Sequence, residues 1–117
     1  MVHPELRHIR SLDLEPPALP PDPRDCAVRF QVLIGPQGGP ESESFAFTAV
    51  TPGHLARVAG GRWGRGSLML AAFDWASVSR AIAQLLVSSA RPTWDEVATE
   101  LNRVLDWQIG HSRGSSE

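Results

Sequence analysis

Cys26 is the single cysteine of this chain. An internal disulfide is thereby excluded, and so sparse a use of thiols fits a reducing compartment. Lysine is absent altogether, all eleven basic residues being arginine, a bias to which we attach no function. No apolar run is long enough to span a bilayer, and His3, Glu5, Arg7 and Arg10 stand where a signal peptide needs its apolar core. The expected address is the cytoplasm. Strong charge of one sign is missing too: a formal net charge of -2 gives no global field to draw the chain onto nucleic acid or an anionic membrane. Neither is expected as a partner.

What remains is ordinary globular material. Hydrophobic residues make up 42% and charged residues 21% of 117, too apolar for general disorder. A chain of this size buries roughly two-thirds of its unfolded surface and needs no metal to fold. The expectation is one domain over residues 1–109, with a proline-rich loop at 15–25 and a frayed polar tail at 110–117.

The organising stretch runs from Val28 to Val50. Val28, Phe30, Val32 and Ile34 alternate with Arg29 and Gln31, the period-2 pattern of a half-buried strand. Gly35 to Glu43 is rich in glycine and proline, so the chain turns there, and alternation resumes from Ser44 through Phe45 and Phe47 to Val50. This predicts an antiparallel hairpin with a long loop. Residues 3–14 read as a first strand. Five prolines between Pro16 and Pro23 then forbid helix and ladder alike, and a stiff loop is a better reading than a ligand for a groove-binding domain.

After the hairpin, Thr51-Pro52 opens a short helix that Gly60-Gly61 ends. Arg62 to Gly66 is a loop, and Ser67 to Phe73 reads as a short strand buried in the sheet. Asp74 caps a helix whose stripe is Val78, Ile82, Leu85 and Leu86. Thr93-Trp94-Asp95-Glu96 has the form of a capping box, opening a helix with Trp94, Val97, Leu101 and either Val104 or Leu105 facing inward. Asp106 to Ile109 is a candidate edge strand. The order predicts an α+β domain: a mostly antiparallel sheet of about four strands with two to three helices on one face.

Chemistry is hard to find in this pattern. His3, His8, His54 and His111 share no metal-ligand spacing, and Cys26 reads as a core residue. Gly61 to Ser67 imitates the glycines of a phosphate loop but lacks its lysine and leads into a strand. Arg62-Trp63-Gly64-Arg65 could stack on bases, although two arginines are too few for nucleic-acid binding. Asp95, Glu96 and Glu100 suit a solvated helix face better than an acid/base pair. Glu41 and Glu43, in the hairpin loop without an evident cationic neighbour, are either solvated charges or acidic contacts for a basic partner. No catalytic residue, metal or cofactor is implied.

Phe30 to Ile34, Gly35-Pro36-x-Gly38, Phe45 to Val50, Thr51-Pro52, Trp63-Gly64-Arg65, Phe73-Asp74-Trp75 and Thr93-Trp94 with Leu101 and Trp107 follow one another in an order that resembles the Imm8 family of bacterial immunity proteins. The resemblance covers nearly the whole chain. It implies a small non-enzymatic protein that binds and neutralises a cognate toxin encoded beside it. Two departures stand out: Gly66, where members often carry histidine, and Trp107-Gln108, where they carry Trp-Glu. Toxin contacts are then sought at Glu41 and Glu43 in the hairpin loop and at Trp63 and Arg65 in the second loop, against the plain alternative of a solvated loop and an anchoring indole. The rival readings are a small-molecule binder, which needs a cavity with convergent ionisable groups, and a nucleic-acid module acting through the arginine loop.

Overall fold

The computed structural model describes residues 1–57 and 66–108. The elements are β1 (Pro4–Ser11), β2 (Ala27–Pro36), β3 (Glu43–Val50), α1 (Pro52–Arg57), β4 (Ser67–Met69), α2 (Trp75–Ser88), α3 (Trp94–Leu101) and β5 (Asp106–Trp107). The α+β class is as expected, with five strands. The sheet follows the order β1-β2-β3-β4, and β5 shares the outer side of β3 with β4.

β2 and β3 form the antiparallel hairpin, with Phe30 opposite Phe47 and Val32 opposite Phe45. The sheet as a whole is mixed, because β4 runs parallel to β3 through Thr48, Ala49 and Val50. Parallel neighbours require a crossover of about a dozen residues or more, and the chain between Val50 and Ser67, which contains α1, supplies one. β4 is also shorter than the predicted strand at 67–73, and it lies at an edge, with Ser67 and Met69 exposed. Leu70 N–H still donates to the Val50 carbonyl of β3 (2.9 Å), and the chain then bends away. Phe73 N–H is taken by the Pro23 carbonyl (2.7 Å).

One face of the sheet carries the core. Val28, Phe30, Val32 and Ile34 of β2 pack with Phe45, Phe47 and Ala49 of β3 against Val78, Ile82 and Leu86 of α2 and Val97, Ala98 and Leu101 of α3. Of the two candidates at the end of the α3 stripe, Leu105 is buried and Val104 is 45% exposed. Asp74 caps α2 by accepting from Ser77 N–H (2.7 Å), and Thr93 and Glu96 form the reciprocal capping box of α3. The proline-rich loop is anchored: Trp75 Nε1 donates to the Ala18 carbonyl (2.8 Å). The predicted stop of α1 at Gly60-Gly61 and the 110–117 tail lie outside the described residues.

Thr51 does more than open α1. Its hydroxyl, 1% exposed as a residue, accepts the Cys26 backbone N–H (2.9 Å) and donates to the Cys26 carbonyl (3.4 Å). Thr51→Val keeps the shape and leaves that buried N–H without its acceptor, so it should destabilise the fold by about 1–3 kcal/mol. Denaturant unfolding with an unchanged slope and a lower midpoint would show this; wild-type stability would mean the bond contributes nothing.

Candidate interaction surface

Three surfaces could meet a partner: the β2–β3 loop, the sheet face away from the helices, and a hollow beside β1. The loop is braced from an unexpected direction. Arg7 in β1 donates through Nη2 to the carbonyls of Pro36 and Gly39, both at 2.7 Å, and its Nε lies 3.7 Å from a Glu5 carboxylate oxygen. The loop therefore does have a cation against it. Gly35 permits this approach, because a Cβ there would collide with the Glu41 carbonyl and the Arg7 guanidinium.

The two acidic residues predicted as contacts have different surroundings. Glu41 is exposed at the end of the loop. Glu43 is the first residue of β3, half-buried, and its Oε1 accepts from Trp107 Nε1 (3.2 Å), while the Trp107 ring stacks on Phe45 at 6.0 Å. Trp63 and Arg65 lie outside the described residues. Neighbouring Gly66 has φ +83°, a left-handed conformation that glycine adopts without a Cβ penalty.

On the sheet face away from α2 and α3, Arg10 donates to Gln31 Oε1 (3.2 and 2.7 Å), and Arg29 pairs with Asp13 (2.7 Å), which also accepts the Arg29 backbone N–H (2.7 Å). A shallow depression of about 230 Å³ lies among His8, Arg10, Leu33 and Ser44. On the helix side of β1, Ile9, Leu14, Phe30, Trp75 and Val78 wall a hollow of about 520 Å³, with Arg10, Ser11, Glu15 and Ser79 also lining it.

Several ionisable groups of the described residues are committed to structure. Hydrogen bonds from the Arg29 side chain, then from its backbone, hold the Asp13 carboxyl below its ordinary value, and the Asp74 carboxyl is lowered by its bonds to Ser77. Burial pushes the Cys26 thiol up, away from the thiolate a nucleophile requires. Glu100 pairs with Arg91 (3.2 Å) and Arg103 (3.6 Å), and Glu96 is occupied in its capping box. Among the described residues no group of three or more His, Cys, Asp or Glu is placed to hold a metal ion, and no helix is long and apolar enough to cross a membrane.

Residues 5–110 match the family model described as immunity protein 8, Imm8. The chain belongs to the Imm8 family. The match takes in β1 to β5 almost entire, so the family relation concerns the whole fold and not one motif. No curated protein and no solved structure matches the chain. Sequence reasoning missed Arg7, Asp13 and the hollow at β1, whose partners lie far along the chain and leave no local spacing to read.

Asp13 gives a pH signature. Its carboxyl is lowered in the folded state from an ordinary 3.8, so the contribution is complete above that value and is lost as pH falls below it. Unfolding measured from about pH 6 to about pH 2 should show an acid-side loss that Asp13→Asn reduces. Superimposable acid limbs for the two proteins would contradict the assignment.

Proposed function

We propose that this protein binds a cognate toxin in the cytoplasm of the producing cell and neutralises it by covering a functional surface of the toxin, without performing a reaction itself. The observation that carries this reading is the family match across nearly the whole chain. A domain needs to present only ~800 Å² to such a partner, and the loop braced by Arg7 carries Glu41 exposed at its end. Within this reading Glu41, Glu43, Trp63 and Arg65 remain the proposed contacts. Glu43 acts through its hold on Trp107, so reversing its charge would disturb the fold as well as any interface, and Glu41 gives the cleaner test.

The experiment is co-expression of the chain with the toxin domain encoded by the adjacent reading frame, together with a direct measurement of binding. The wild-type chain should restore growth, and Glu41→Arg should weaken binding about tenfold, ~1.4 kcal/mol, with its circular dichroism and melting unchanged. Full affinity in the variant would remove Glu41 from the interface. Failure of the wild-type chain to bind or protect would remove the function itself.

A further inference from the structure

β1 is a terminal strand: among the described residues it pairs with β2 alone. A sheet edge of this kind accepts a further strand unless something blunts it. The first half of β1 is blunted by Pro4 and by the irregularity between Leu6 and His8. From His8 to Ser11 the ladder is regular, with His8 opposite Leu33, Ile9 opposite Val32, Arg10 opposite Gln31 and Ser11 opposite Phe30. Leu12 N–H, in step with Arg10, donates toward β2 at the Arg29 carbonyl (2.8 Å). Alternation then turns the peptide groups of Ile9 and Ser11 away from β2, toward the free side.

Two unlike surfaces flank this half of the edge. On the helix side lies the hollow of about 520 Å³ walled by Ile9, Leu14, Phe30, Trp75 and Val78, where the Trp75 indole is held by its bond to the Ala18 carbonyl. On the other side His8 and Arg10 are exposed. Arg10 is held against the neutral amide of Gln31, and among the described residues no carboxylate pairs with it. A strand added to β1 would send alternate side chains to these two surfaces. We propose that β1 receives an extended segment of the toxin in which aliphatic residues, seated in the hollow, alternate with Asp or Glu facing His8 and Arg10. This assignment rests on the reading of the chain as a toxin inhibitor and names the element that does the binding.

The test uses the full chain and the toxin domain from the adjacent reading frame as the probe. Ile9→Pro removes an outward N–H while sparing the β2 ladder, and Arg10→Glu, at an exposed site, reverses the charge with little risk to folding. Each should weaken the complex at least about tenfold, and hydrogen exchange at Ile9 and Ser11 should slow when wild-type chain binds. Wild-type affinity in Arg10→Glu, or unchanged exchange at Ile9 and Ser11 in the complex, would overturn strand addition while leaving the inhibitor reading in place. So would a self-associated dimer that Ile9→Pro dissolves, since a second copy would then occupy the edge. Absence of any complex with the wild-type chain would end the inhibitor reading and this assignment with it.

Discussion

The ring of Phe30 holds four parts of the chain together. It stacks on Phe47 across the hairpin at 5.0 Å and on Phe73 at 6.2 Å, and it meets the edge of Trp75 at 5.7 Å. Aromatic pairs of this kind each add roughly 0.5–1.5 kcal/mol beyond the area they bury. Trp75 opens α2 and reaches back to the proline-rich loop, so the same cluster sets both the helix on the sheet and the wall of the hollow beside β1. Without the Phe30 contact, α2 and the loop would lose their common reference.

This centre was legible in the sequence because it is built from local periodicity. The alternation from Val28 to Ile34 depends only on strand geometry, and the caps at Asp74 and Thr93 depend on residues three positions away. The parallel pairing of β3 with β4 was not legible: a three-residue strand carries too little pattern, and its direction is set by the intervening path. Nor was the Arg7 brace, whose acceptors at Pro36 and Gly39 lie 29 and 32 residues away. Glu43 illustrates the limit of a loop assignment. The ladder takes it in opposite Ile34, and its carboxylate is engaged by an indole from β5.

The proline-rich segment accepts hydrogen bonds from Phe73 N–H at Pro23 and from the Trp75 indole at Ala18, which tie it to the start of α2. Arg7 likewise ties β1 to the turn between β2 and β3. Pre-formed surfaces lose little entropy on association, which suits a protein whose proposed task is to cover another protein. The commitment of Asp13, Asp74, Glu96 and Glu100 to caps and ion pairs points the same way, since these carboxylates serve architecture.

Inhibition by coverage is consumed mole for mole, whereas a catalyst acts repeatedly. The most direct measurement is a titration of the toxin domain's activity with purified chain, at toxin concentrations well above the dissociation constant. A linear fall in activity to an end point near one chain per toxin molecule is expected, with both proteins recovered covalently unchanged. Inactivation of many toxin molecules by one chain would contradict it.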